Sequence, residues 1–198
     1  MTRLDRKPLN IMLLGDVASG KGTQAARLAK RYKLYDLDMG RELRREKDRF
    51  DYSKTAARGI LTPTKYVRRI LKNKIESMPP RQGILFDGTP KMIGEARLVV
   101  RLLKQAGRKD PICIYVSIPV QEIIKRAQLR VDYKGKRVIR REDDRPEAVR
   151  NRLRYYGIQK KKVAAYFRSK YGLAKISGLG TKAQVYARIV KHIESRLK

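Results

Sequence analysis

The sequence has few of the residues that build disulfide-bonded, zinc-binding or membrane-spanning proteins. Its one cysteine, Cys113, excludes a disulfide within the chain. With the one histidine, His192, that cysteine leaves no Cys/His cluster to hold zinc. The apolar run near the charged N-terminus is only a few residues long, which predicts neither a secretory signal nor a membrane span. We therefore expect a cytoplasmic protein.

Acidic residues are also scarce. The chain has 19 Asp and Glu against 50 Lys and Arg, and its formal net charge is +31. A field of that sign attracts polyanions such as RNA. Lys160, Lys161 and Lys162, among the aromatic residues of a predicted long helix, are candidate RNA contacts. The alternative is a solvated basic surface with no such partner, because the sequence does not tell whether the charges gather on one face.

The remaining composition is that of one folded domain. The chain has 198 residues, of which 41% are hydrophobic, enough to bury a sizeable core. Apolar runs near residues 9–14, 34–37, 83–87, 111–118 and 173–176 predict strands, and helical spacing lies between them. This alternation predicts a three-layer α/β fold with a parallel sheet. Cys113 lies within one of these runs and is expected to be a core residue rather than a nucleophile.

Residues 13–23 predict a phosphate-binding loop between the first strand and the first helix. Gly15 and Gly20 lack a Cβ, so the loop can turn its backbone N–H groups toward a polyphosphate. Lys21 supplies a cation, and the following helix points its positive dipole end at the same anion. The expected ligand is a nucleoside triphosphate.

The loop ends in Gly-Lys-Gly-Thr followed by Gln24, a variant that resembles the adenylate kinase family of nucleoside monophosphate (NMP) kinases. Asp87-Gly88-Thr89-Pro90-Lys91 resembles that family's Asp-Gly-Phe-Pro-Arg motif, and residues 141–144 resemble its Arg-x-Asp-Asp motif. The resemblance covers nearly the whole chain. It implies a P-loop NTPase fold forming one domain over residues 1–198, with an NMP-binding insertion at about 39–68 and a short lid at about 131–141.

The resemblance also implies a reaction, in which the γ-phosphoryl group of MgATP passes to a nucleoside monophosphate. It implies Mg²⁺ as cofactor, ATP as phosphoryl donor and a monomeric enzyme. Asp87 is expected to hold Mg²⁺ through water. The residues that the resemblance assigns to catalysis are Lys21, Asp87, Arg126, Arg141 and Arg152. Those that it assigns to ATP binding are Ala18, Ser19, Gly20, Lys21, Gly22, Thr23, Arg126, Arg130 and Gly180.

The acceptor side departs from the family pattern. Met39 stands where the family has threonine, Arg41 where it has aspartate, and Lys91 where it has arginine. Lys91 keeps the charge but loses the bidentate geometry of a guanidinium, so we expect weaker acceptor binding. The residues that the resemblance assigns to the acceptor are Met39, Arg44, Gly59, Ile60, Leu61, Gly88, Lys91, Glu95, Arg141 and Arg152.

The identity of the acceptor base stays open at this point. Glu95 stands where adenylate kinases carry a glutamine, and an ionised glutamate can only accept hydrogen bonds. The resemblance favours AMP, with GMP or CMP as alternatives. A second hypothesis is that the fold serves as a basic protein that binds RNA or ribonucleoprotein, with weak or no catalysis. Its support is the surplus charge together with the altered acceptor positions.

Overall fold

The computed structural model describes residues 8–46, 51, 53–134, 137–139 and 144–198. Arg141, assigned above to catalysis and to acceptor binding, lies outside these residues. Within the described part of the chain, no helix is both long and apolar enough to cross a membrane.

Strands and helices alternate along the described chain, as predicted from the apolar runs. Parallel strands need crossover connections, and the helices between them supply these. The strands are β1 (Asn10–Gly15), β2 (Tyr35–Asp38), β3 (Ile84–Asp87), β4 (Ile112–Ser117), β5 (Asp132–Lys134), β6 (Arg137–Ile139) and β7 (Ala174–Ser177). The α-helices are α1 (Lys21–Tyr32), α2 (Met39–Arg45), α3 (Thr64–Glu76), α4 (Ile93–Gln105), α5 (Val120–Leu129), α6 (Pro146–Tyr171) and α7 (Lys182–Leu197).

Five of the strands form one parallel sheet in the order β2-β3-β1-β4-β7. Successive side chains of a strand point to opposite faces, so β1 feeds two cores. Ile11 and Leu13 pack with α1 and α7 on one face, whereas Met12 and Leu14 pack with α2, α3, α4 and α6 on the other. The predicted three-layer α/β fold is confirmed.

The described part of the predicted lid contains β5 and β6, which pair antiparallel as a small second sheet. In the predicted NMP-binding insertion, Gly59 lies against α6. A Cβ on Gly59 would come within 2.2 Å of the Ala148 carbonyl oxygen, so only glycine allows this approach. The limits of both insertions stay predictions.

Thr62-Pro63 and Asp144 ahead of Pro146 have the sequence patterns of helix caps, which predict caps for α3 and α6, and both of these predictions are wrong. Thr62 does not cap α3, which begins at Thr64 with Pro63 in the cap position. Asp144 does not cap α6 either, because Arg145 takes the cap position ahead of Pro146. The Asp144 carboxylate binds arginines instead. Thr181 is likewise predicted to cap α7, and this prediction is confirmed, since Thr181 Oγ1 accepts from the N–H of Gln184 at 3.2 Å.

Candidate active site

A cleft of about 210 Å³ opens at the carboxyl ends of the central strands. It lies where the chain order of the sheet reverses between β3, β1 and β4, the place where open parallel sheets bind their ligands. Residues predicted to bind ATP and residues predicted to bind the acceptor meet there. The ones that line the cleft are Ala18, Lys21, Arg44, Gly88, Lys91, Arg130 and Arg152.

The phosphate loop takes the shape that its glycines predict. Gly20 has φ +86° and ends the loop where α1 begins, a conformation that glycine adopts without steric cost. A Cβ on Gly15 would come within 2.3 Å of the Val116 carbonyl oxygen, so glycine is needed where the loop passes β4. Ala18 takes φ +54° without being glycine. Ser19, Gly20, Gly22 and Thr23 occupy the expected positions from the loop into the first turn of α1.

Lys21 reaches back over the loop. Its Nζ donates to the carbonyl oxygens of Gly15, at 3.1 Å, and of Asp16. Burial lowers the pKa of Lys21, and the nearby carboxylates of Asp87 and Asp16 oppose that shift. The ammonium group therefore lies at the mouth of the loop, where a bound polyphosphate would pass.

Asp87 ends β3 beside the loop, in register with Asp38 of β2. A Cβ on Gly22 would lie 3.5 Å from Asp87 Oδ2, which places the carboxylate next to the first turn of α1. Burial raises the pKa of Asp87, Lys21 opposes the shift, and Asp38 and Asp36 add to it. No side chain or backbone group in the described chain donates a hydrogen bond to this carboxylate.

These surroundings fit Mg²⁺. Mg²⁺ is usually bound through one or two carboxylates together with substrate phosphates and water. Asp87 supplies the carboxylate, Thr23 lies two residues after Lys21 with a hydroxyl, and ATP would supply the phosphate oxygens. In the described part of the chain no cluster of three or more metal-binding side chains is present.

Two of the predicted arginines share one buried carboxylate. Arg130 makes a bidentate pair with Asp144 through Nε and Nη2, both at 2.5 Å. Arg152 Nη1 lies 3.5 Å from the same Oδ1 of Asp144. Arg126 lies elsewhere: its Nε donates to Glu122 at 2.6 Å, and its Nη1 donates to the Gly178 carbonyl oxygen at 3.1 Å. Arg126 therefore lies at the loop 178–180, which contains Gly180, a residue that the resemblance assigns to ATP binding.

On the acceptor side, Arg44 and Lys91 reach the cleft. Arg44 Nη2 lies 4.0 Å from Asp38 Oδ2, and Lys91 Nζ lies 4.9 Å from the ring centre of Tyr156. Met39 is buried in the hydrophobic core at 2% exposure, so its side chain does not face the cleft. The Ile60 carbonyl oxygen lies 3.5 Å from the Tyr156 hydroxyl, which connects the segment 59–61 to α6.

Glu95 is engaged in local structure. Its Oε2 accepts from the N–H groups of Lys91, at 2.9 Å, and Met92, at 3.2 Å. Its Oε1 accepts from Thr64 Oγ1 at 3.1 Å. The carboxylate thus caps α4 and ties it to α3, and its side chain is 2% exposed.

The interactions around the phosphate loop were not predicted from the sequence. Asp16, buried inside the phosphate loop, accepts from Tyr115 of β4 and from Lys160 of α6. Lys160, expected together with Lys161 and Lys162 as a candidate RNA contact, lines the cleft and pairs with Asp16. Pairs so far apart in sequence leave no local pattern. Cys113 is a core residue as expected, since burial raises its thiol pKa to about 12.

The comparisons with known proteins agree with this geometry. The family model described as adenylate kinase matches residues 13–172. An adenylate kinase of Azobacteroides pseudotrichonymphae is 34% identical over 192 residues, covering 94% of this chain and 98% of the relative. An adenylate kinase of Bacteroides fragilis is 30% identical over 94% of this chain and 99% of the relative. One from Thermus thermophilus is 30% identical over 184 residues, covering 90% of this chain and 94% of the relative. Nothing in these matches favours the RNA-binding hypothesis. The chain belongs to the adenylate kinase family, the ATP-dependent nucleoside monophosphate kinases.

Proposed function

We propose that this protein catalyses ATP + AMP = 2 ADP with Mg²⁺. The observation that carries the proposal is the distribution of cations in the cleft. Lys21, Arg130 and Arg152 line it beside the phosphate loop, and Arg44 and Lys91 line it on the acceptor side. Two phosphorylated substrates can therefore meet in the cleft, and cations on each side offset the negative charge of one of them.

The reaction needs positioning and charge neutralisation rather than a nucleophilic side chain. An oxygen of the acceptor phosphate attacks the γ-phosphorus of ATP, and the bond from that phosphorus to the β,γ-bridging oxygen breaks, leaving ADP on the donor side. Lys21 and the arginines stabilise the negative charge that spreads over the transferred group. Asp87 and Thr23 would hold Mg²⁺, which neutralises phosphate charge when bound. Asp144 orients Arg130 and Arg152.

The insertion at about 39–68 and the lid at about 131–141 are proposed to close over the two substrates. Closure excludes water, which would otherwise take the phosphoryl group. In this proposal Arg141 comes to the cleft from the lid. The active unit is proposed to be the monomer, as expected from the family resemblance.

AMP is the proposed acceptor because the curated relatives are named adenylate kinases. Glu95 is the residue proposed to read the base, and to do so it must exchange its present hydrogen bonds with Thr64, Lys91 and Met92 for one to the base. Glu95→Gln, measured with all four acceptors, should change their ranking. An unchanged ranking would limit Glu95 to its structural role.

The proposed reaction is tested by coupling ADP formation to NADH oxidation with ATP and each of the four ribonucleoside monophosphates. The highest kcat/KM is expected for AMP, with GMP and CMP as the competitors to exclude. Lys21→Ala is the control for contaminating kinase. If none of the four monophosphates gives ADP above that control, the proposal is wrong.

We also propose that the protein associates with RNA at a second, more open cleft of about 520 Å³. Three of its lining cations, Lys161, Arg168 and Lys175, are exposed and form no ion pair within the described residues. Because each phosphate contact releases counterions, the affinity should fall steeply with salt. Filter binding should weaken in a Lys161→Glu, Arg168→Glu variant more than in a Lys30→Glu, Lys191→Glu variant of equal charge. Equal weakening in the two variants would leave only diffuse attraction.

A further inference from the structure

The phosphate loop contains a buried acid. Asp16, the residue after Gly15, is 7% exposed and lies in the loop that is proposed to bind polyphosphate. A carboxylate there repels the ligand unless its charge is cancelled, because interactions between charges are strengthened in partly buried surroundings. The charge of Asp16 must therefore be compensated within the protein.

The compensation comes from three separate groups. Oδ1 accepts from the Tyr115 hydroxyl at 2.7 Å, and Oδ2 accepts from the Ile118 N–H at 3.0 Å. These neutral donors fix the carboxylate against β4 and the segment that follows it. Lys21 donates to the backbone carbonyl oxygen of Asp16, but the only cation that contacts the Asp16 carboxylate within the described residues is Lys160, whose Nζ pairs with Oδ1.

Lys160 comes from a distant part of the chain. It lies on α6, two turns beyond Arg152, and both side chains line the same cleft. Its ammonium group also lies 5.9 Å from the ring centre of Tyr115. The side chain is half-buried between the loop and the helix, a position unlike that of the exposed Lys161 and Lys162.

We infer that Lys160 is a positioning residue for the ATP site: it cancels the charge of Asp16 and holds the phosphate loop against the helix that carries Arg152. This inference rests on the proposed function only in taking ATP as the ligand of the loop. Lys160 acts through Asp16, so removing the acid should remove the need for the lysine.

The test is a charge-compensation cycle measured by ATP binding. Isothermal titration with MgATP in the absence of AMP compares the parent protein with Lys160→Met, Asp16→Asn and the double variant. Lys170→Met, which removes an exposed cation of the same helix, is the matched control. We expect Lys160→Met to weaken ATP binding about tenfold, as for loss of one partly buried compensating charge. Asp16→Asn combined with Lys160→Met should return the Kd to within about threefold of the parent value.

Two results would overturn the inference. One is a parent-like ATP Kd for Lys160→Met, and the other is a double variant as weak as Lys160→Met alone. Thermal unfolding of each variant identifies loss of fold, and a folded double variant keeps the cycle interpretable. Because no acceptor is present, failure of this cycle is distinguishable from failure of the proposed reaction, which would appear as absent ADP formation by a protein that binds ATP.

Discussion

Two buried carboxylates flank Lys21, and they differ in what surrounds them. Asp16, after β1, receives hydrogen bonds from Tyr115, Ile118 and Lys160. Asp87, at the end of β3, accepts none from the described residues. Burial alone would raise the pKa of Asp16, but those three hydrogen bonds outweigh it and the net pKa is lowered. For Asp87, burial dominates and the pKa is raised.

The difference indicates a division of roles. Both carboxylate oxygens of Asp16 already accept hydrogen bonds within the protein, so the charge of Asp16 is compensated by protein groups. The oxygens of Asp87 have no donor among the described residues and face further acids across the strand ends, so a cation is the partner that their surroundings favour. One carboxylate shapes the phosphate loop, and the other is available to Mg²⁺.

Lys21 lies between the two acids, and its removal should have the largest effect. Lys21→Ala should lower kcat by a factor on the order of a hundred or more, because groups that stabilise transition-state charge are worth a few kcal/mol. Initial rates at saturating ATP and AMP measure this. A variant with the parent kcat would remove Lys21 from the mechanism.

Asp144 is a third buried acid, and its carboxylate contacts two arginines, Arg130 and Arg152. Asp144→Asn should lower kcat about tenfold, because an amide holds the Arg130 guanidinium less firmly than a bidentate carboxylate does. Glu194→Gln, which breaks the exposed 2.6 Å pair with Arg31, is the matched control. Equal kcat values for the two variants would show that Asp144 does not order the site.

Tyr115→Phe tests whether Asp16 depends on its neutral donors. The variant leaves Lys160 and the Ile118 N–H in place but removes the bond from the hydroxyl. Stability should fall by about 1.5 kcal/mol, as for loss of a hydrogen bond to a charged group. Urea unfolding at neutral pH gives the value. No change in the unfolding midpoint would mean that the hydroxyl contributes nothing.

The smallest expected effect is a change in stability from a substitution in the backbone near Asp16. After β3, Gly88 takes φ +70° without cost, whereas Ala18 in the phosphate loop takes φ +54° with a Cβ. Ala18→Gly should stabilise the protein by about 0.5 kcal/mol, because the relieved left-handed strain exceeds the added chain entropy of glycine. Urea unfolding measures this too, and a destabilised variant would contradict it.

The sequence alone predicted the parts whose signals are local. The strand runs, the phosphate loop and Asp87 at a strand end each depend on a few consecutive residues, and the fold followed from their alternation. Asp16 and Lys160, 144 positions apart, carry no such signal, and a run of three lysines made Lys160 resemble a surface residue.

The same reason explains the errors at Asp144 and the outcome at Glu95. An acid before a proline at a helix start has the pattern of a cap, but Asp144 binds Arg130, a partner 14 residues away. Glu95 does cap its helix, a local interaction that sequence reasoning passed over in favour of base recognition. Arg141 stays a prediction, because it lies outside the described residues.

The most direct test of the central claim is the initial rate of ADP formation against free Mg²⁺, at fixed ATP and AMP, for the parent protein, Asp87→Asn and Asp16→Asn. If the two carboxylates have different roles, Asp87→Asn should raise the Mg²⁺ concentration for half-maximal rate about tenfold or more. Asp16→Asn should leave that concentration unchanged. An unaltered Mg²⁺ requirement in Asp87→Asn, or an equal shift in both variants, would contradict the account.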